Sequence, residues 1–178
     1  MCSNVQYLSV LMENSLNCDH ACEIGKWFLT VQEFLPAMLE KNKGHIVTIA
    51  SMSAKSGTAL LVDYSASKYA AYGFTEALNE EIWRYGKDVK TTTVCPMFVG
   101  TGLVKYPKLG RGKLLTPQEV AMATVNGTLT NQEEVIVPPA LEYQLKITQF
   151  FPRKFNVWAK RAQNIGLDPQ YEPGSKQD

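Results

Sequence analysis

Ser51, Tyr64 and Lys68 are separated by thirteen and then four residues, and their side chains suit acid–base work on a single oxygen atom. A phenol titrates near pH ~10 in water, too high for ready proton exchange at neutral pH, and a fixed ammonium beside it favours the phenolate. A helix opening at Tyr64 would put Lys68 one turn on and on the same face, so that the two act as a unit. Ser51 follows the β-branched run Ile46 to Ile49, and a hydroxyl at the carboxyl end of a strand lies where α/β sheets hold their ligands. Tyr-x-x-x-Lys alone occurs by chance in many helices. The weight rests on its company: a strand ending in Ser51, small residues after Tyr64, and Cys95-Pro96 closing the next strand ahead of Thr101.

Hydrophobic periodicity predicts the elements that must position these groups. Trp27, Phe28, Val31, Phe34, Leu35, Met38 and Leu39 recur at helical spacing, an amphipathic helix from Ile24 to Leu39 that Pro36 bends or tightens. His45 to Ala50 reads as a buried strand. Asp63 is the expected N-cap of a helix from Tyr64 to Tyr85, with Ala66, Ala70, Ala71 and Gly73 toward the sheet and Gly86 as its left-handed stop. Lys90 to Cys95 is the next strand, which completes a right-handed βαβ unit with a parallel sheet. After a Gly-rich connection, Met97 to Lys113, the run Thr116-Pro117-Gln118-Glu119 is a capped helix start leading to Leu129, and Glu134 to Val137 is a short strand. An aromatic and basic segment follows from Ala140 to about Ile165, and the polar tail is expected to be disordered. The organisation is a divergent segment 1–23, an α/β unit 24–139, a helical segment 140–166 and a tail 167–178.

Composition excludes several classes. The 178 residues are 45% apolar, enough for one domain with a core, and a net charge of +1 argues against a nucleic-acid binder. The four cysteines, Cys2, Cys18, Cys22 and Cys95, are too scattered for a disulfide framework and read as thiols in a reducing compartment. Cys18-x-His20-x-Cys22 lacks a second ligand pair, so no metal site is expected. Neither a signal peptide nor a transmembrane helix is expected in this chain. The Asn126-Gly127-Thr128 sequon falls inside a predicted helix and is discounted as a glycosylation site. A hydrolase built on Ser51, Tyr64 and Lys68 is the poorest reading, because no nucleophile elbow is present.

With these residues in view, the chain resembles the short-chain dehydrogenase/reductases. The stretches HIVTIAS, DYSASKYAAYGF, TTTVCP and FLPAML are similar to the branch containing the epidermal retinol dehydrogenases and the lipid-droplet 17β-hydroxysteroid dehydrogenases, over about Ile24 to Pro139. The resemblance implies an α/β fold, an incomplete Rossmann-type parallel sheet with flanking helices that lacks the N-terminal βαβ units. It implies catalytic roles for Ser51, which holds the substrate oxygen, and for Tyr64, which exchanges the proton, while Lys68 assists Tyr64 and binds the nicotinamide ribose. Pro96, Val99 and Thr101 would lie along the nicotinamide, and the cofactor would be NAD or NADP. The implied reaction is hydride transfer between that cofactor and a hydrophobic alcohol or ketone such as retinol, a steroid or another lipid.

Two parts of the family pattern are missing. Gly100-x-Gly102 and Gly110-x-Gly112 do not supply the Gly-rich turn after a first strand that receives a pyrophosphate. Glu23 stands where the family has the asparagine of its catalytic tetrad. Residues 1–23 are expected to replace the usual N-terminal half, and cofactor binding is expected to be poor. The alternative reading is a non-catalytic fragment that pairs with a full-length subunit, since the family's matching helices build its dimer interface; a homodimer is the other expected assembly. The expected location is the cytoplasm or the cytoplasmic face of the endoplasmic reticulum or a lipid droplet, with peripheral membrane contact through the aromatic and basic segment.

Overall fold

A computed structural model describes residues 19–102, 107–109, 112–148, 150–162 and 165–167. Most of the divergent segment, part of the Gly-rich connection and the tail beyond Leu167 lie outside the described residues. So does Cys18, and with it the Cys18-His20-Cys22 triplet as a unit.

Helix α1 (Asp19–Lys41) continues through Pro36, and strand β1 (Gly44–Ile49) follows. A 3-10 turn (Met52–Ala54) leads to helix α2 (Val62–Arg84) and strand β2 (Val89–Pro96). Strand β3 (Pro107–Leu109), helix α3 (Pro117–Leu129) and strand β4 (Glu134–Val137) come next. The chain then forms helix α4 (Ala140–Thr148), helix α5 (Arg153–Ala162) and strand β5 (Ile165–Leu167).

The main sheet has the order β1-β2-β4, and both pairings are parallel, so the carboxyl ends of all three strands share one edge. Gly44 pairs with Val89 and Ile49 with Val94, and Thr93 pairs with Glu134 and Pro96 with Val137. Helices α1 and α2 cover one face, where Leu78, Ile82 and Val89 pack with Val31, Leu35, Met38 and Ile46. Helix α3 covers the other, where Val94, Leu115, Val135 and Val137 pack with Val120 and Ala123. Burying one such aliphatic side chain stabilises the fold by about 1.5–3 kcal/mol.

Local signals read from the sequence hold at several points. Gly86 has φ 62° and ends α2. Thr116 and Glu119 form a reciprocal capping box with Pro117 at the start of α3.

Other expectations are corrected. Strand β1 is not buried: Val47 and Ile49 are 37% and 48% exposed, because β1 is the edge of the sheet and helix α3 covers only the β2 and β4 side. Asp63 does not cap α2; Leu61 occupies that position without a side-chain bond, and Asp63 lies in the first turn. The residues of α2 that meet the sheet are Ser67, Ala71, Thr75, Leu78 and Ile82, whereas Ala66 and Gly73 are exposed. That rotation buries Leu78 and Ile82 against Val89 and Ile46 and brings Thr75 Oγ1, which also bonds Ala71 O of its own helix, to 2.8 Å from Thr48 Oγ1. The segment after Ala140 is two helices, broken around Pro152, rather than one run. Pro107–Leu109 and Ile165–Leu167 pair as an antiparallel ribbon that local pattern did not suggest, and Leu167 is therefore in a strand rather than a tail.

Candidate active site

The parallel pairing carries Ser51 to the sheet's carboxyl edge. Ala50 N–H donates to Val94 O at 2.8 Å, one residue past the end of β1, so the backbone is still tied to β2 when the serine is reached. Ser51 is buried, and its Oγ accepts from Ser53 N–H at 3.1 Å as the cap of the 3-10 turn. That bond uses a lone pair and leaves the hydroxyl proton to be donated elsewhere.

Tyr64 and Lys68 lie in the first two turns of α2. The Lys68 ammonium is 5.5 Å from the centre of the Tyr64 ring, 5.2 Å from that of Trp27 on α1, and donates to Ile49 O at 3.5 Å. The lysine is thus steered by a strand end, by its own helix and by an indole from a second helix. Ser51, Tyr64, Lys68, Pro96, Val99 and Thr101 all line one cavity of about 1100 Å³. Every site residue singled out in the sequence except Glu23, whose side chain is outside the described set, is therefore brought to the same cavity. Thr101 is exposed at its rim, with its N–H bonded to Val99 O at 2.8 Å.

The cavity wall is largely apolar. Leu60, Leu61, Met97 and Phe98 contribute from the loops, Val120 from α3, and Leu141 and Leu145 from α4. Asn156 and Ala159 of α5 close it on the far side.

Sequence reasoning missed Trp27 as a partner of Lys68; its only signal was membership of the apolar stripe of α1. It also missed Lys55, which lines the cavity, pairs with Glu134 at 2.8 Å and sits 3.5 Å above the centre of the Tyr72 ring. Burial disfavours the Lys55 ammonium, but the hydrogen bonds it donates to Glu134 and Tyr72 outweigh this and raise the pKa. Beneath the turn, burial pushes the Cys95 thiol up to about 12, with the Glu134 carboxylate adding to the effect, so Cys95 stays protonated and inert. Among the described residues no three His, Cys, Asp or Glu side chains gather as a metal site.

The residues present fit one end of a nicotinamide dinucleotide. Tyr64, Lys68, Pro96, Val99 and Thr101 line the same cavity, with room beside the Lys68 ammonium for a polar group of such a molecule, whereas beyond β1 the described residues supply no Gly-rich turn and helix start for a pyrophosphate.

A family model described as short chain dehydrogenase matches residues 21–110. The chain is 38% identical over 142 residues to estradiol 17-beta-dehydrogenase 11 of Rattus norvegicus, covering 79% of this chain and 48% of that protein. It is 37% identical over 146 residues to 17-beta-hydroxysteroid dehydrogenase 13 of Homo sapiens, covering 82% and 48%. The chain thus spans about half the length of the curated relatives it matches. Among solved structures, a short chain dehydrogenase from Burkholderia cenocepacia in complex with NADP superposes with a TM-score of 0.61 at 19% identity, covering 80% of this chain and 58% of that one. One from Burkholderia phymatum in complex with NAD gives 0.55 at 22%, covering 80% and 57%. At such identities the solved structures speak for the Rossmann-type fold, and the sequence matches speak for descent. This chain belongs to the short-chain dehydrogenase family.

Proposed function

We propose that this chain carries the proton-transfer and substrate-binding side of a nicotinamide-dependent oxidoreductase acting on a hydrophobic alcohol or ketone, such as a steroid, retinol or another lipid. The observation that carries this reading is the single cavity in which Ser51, Tyr64 and Lys68 face a mostly aliphatic and aromatic wall. The names of the relatives, steroid dehydrogenases, agree with a lipophilic substrate.

In this reading the Tyr64 hydroxyl passes its proton to the substrate carbonyl oxygen in reduction and recovers it in oxidation. Ser51 donates a hydrogen bond to the same oxygen, and its own oxygen is already held by Ser53 N–H, which fixes the direction of the donated proton. Lys68, positioned by Ile49 O and Trp27, stabilises negative charge on Tyr64 and holds the cofactor ribose. Pro96, Val99 and Thr101 flank the nicotinamide. NAD or NADP, when bound, supplies or accepts the hydride. The location that goes with this reading is the cytoplasm or the cytoplasmic face of the endoplasmic reticulum or of a lipid droplet. No helix among the described residues is long and apolar enough to cross a membrane.

The test is cofactor binding by the purified chain, followed by oxidation of all-trans-retinol and estradiol with NAD and NADP. Turnover that disappears in Tyr64→Phe supports the reading, and cofactor binding without any turnover on lipophilic alcohols overturns it.

A second reading is a non-catalytic subunit that pairs with a full-length relative or with its own copy. It is favoured by the position of β1 at the edge of the sheet among the described residues and by the exposed Leu29 and Phe34 on α1 and Trp83 on α2. Sedimentation of the chain alone and mixed with a full-length relative separates the two readings: a mixed species lacking turnover on the chain's own site supports this one.

A further inference from the structure

Among the described residues, three that are not glycine have a positive φ: Asn42, Leu60 and Asn131. The two asparagines follow helix ends, Asn42 N–H bonding Leu39 O after α1 and Asn131 N–H bonding Thr128 O after α3, and asparagine takes this conformation readily. Leu60, at φ 64°, is different. Its Cβ crowds its own backbone there, a strain that glycine escapes.

The turn around Leu60 is closed by Leu61 N–H on Thr58 O at 3.2 Å, with Leu60 the third of four residues, where a positive φ calls for Gly or Asn. Local pattern does not select leucine there. The conformation is held from helix α2: Thr58 N–H donates to Ser65 Oγ at 3.2 Å and Ser65 N–H to Leu61 O at 2.8 Å, which ties the turn to the residue after Tyr64. The side chain gains little from the fold in return. It is 55% exposed and stands outside the three buried clusters of the described core. It does line the cavity, from the loop whose two ends carry Ser51 and Tyr64. A strained backbone and an apolar side chain left to water are two costs at one residue, and strain of this kind persists where a site uses it.

We infer that Leu60 is a specificity-determining residue of the cavity: its side chain covers a lipophilic ligand seated beside Ser51 and Tyr64, and the turn holds it over that place. That the ligand is a substrate rests on the proposed function; the contact with it does not.

The experiment compares Leu60→Gly and Leu60→Ala with the unchanged full chain by thermal melting and by equilibrium dialysis of radiolabelled estradiol, both without cofactor. Glycine removes the side chain and the strain, whereas alanine keeps a Cβ in the strained conformation. Leu60→Gly is expected to melt about 2 °C above the unchanged chain, and Leu60→Ala no higher than it. Both should bind estradiol about fivefold more weakly, the loss from leaving half a leucine side chain uncovered. A residue that only supports the fold would lower melting and affinity together. Estradiol binding that weakens in both variants while turnover is absent would sink the dehydrogenase reading and support this one. Three results would overturn it: Leu60→Gly melting no higher than the unchanged chain, either variant binding estradiol as tightly as that chain, or no estradiol binding at all.

Discussion

The Lys55 ammonium and the Glu134 carboxylate meet at 2.8 Å, and the same ammonium lies over the Tyr72 ring, so one side chain joins the turn after Ser51 to the start of β4 and to α2. The pair is about two-thirds to four-fifths withdrawn from solvent, with side-chain exposures of 21% and 33%. It is expected to couple Ser51 to the helix that carries Tyr64 and Lys68. A double-mutant cycle of Lys55→Met and Glu134→Gln should return a coupling of about 1 kcal/mol, near the top of the range for partly exposed pairs. Hydrogen exchange at Lys55 and Ser56, whose N–H groups bond to Met52 O, should quicken in Lys55→Met while β2 keeps its protection. Zero coupling would show that the contact does not hold the turn.

Tyr64→Phe removes the proton and little else, because the ring stays and α2 keeps its packing through Ala71, Thr75, Leu78 and Ile82. Turnover is expected to fall by ~10²- to 10⁴-fold, the usual contribution of a positioned general acid or base. Thermal melting should not move. An active Tyr64→Phe protein would remove Tyr64 from the chemistry.

Gly127 on α3 is a packing glycine: a Cβ added there would run into Val135 Cγ2 on β4. Gly127→Ala should therefore destabilise by about 1–3 kcal/mol, and a second change, Val135→Ala, should make the Gly127 substitution less harmful. Gly73 on α2 meets nothing within 4 Å, so Gly73→Ala should instead stabilise by about 0.5–1 kcal/mol through helix propensity. Denaturant midpoints of the four variants decide between these signs.

Hydrogen bonding to Lys113, then to the Thr116 backbone, lowers the Glu119 carboxyl from 4.5 to about 2. A depressed acid contributes stability above its unfolded pKa and loses it as the folded form is protonated. The start of α3 should therefore loosen as pH falls from about 4.5 toward about 2, and Glu119→Gln should abolish that dependence. The effect will be modest, since the cap is exposed and screened. Amide exchange at Glu119, whose N–H is bonded to Thr116 Oγ1, reports it directly.

Much of this protein follows from short-range pattern. The capping box at Thr116, the stop at Gly86 and the alternation of strand and helix depend on residues within a turn or two of one another, and their energies are local. The spacing of Ser51, Tyr64 and Lys68 belongs to the same class, because one strand end and one helix start suffice to present them to a common cavity. Tertiary structure decided what no local pattern encodes. Which face of α2 turned inward depended on partners from the sheet, Val89 and Ile46 for Leu78 and Ile82 and Thr48 for Thr75, and Lys68 acquired Trp27 only when α1 packed beside α2. Lys55 found Glu134 across the sheet, and the aromatic segment divided into α4 and α5 while β5 closed back on β3. The exposure of Val47 and Ile49 is of the same kind: an apolar β-branched run predicts a strand, but burial depends on which neighbours the fold places against each side of it.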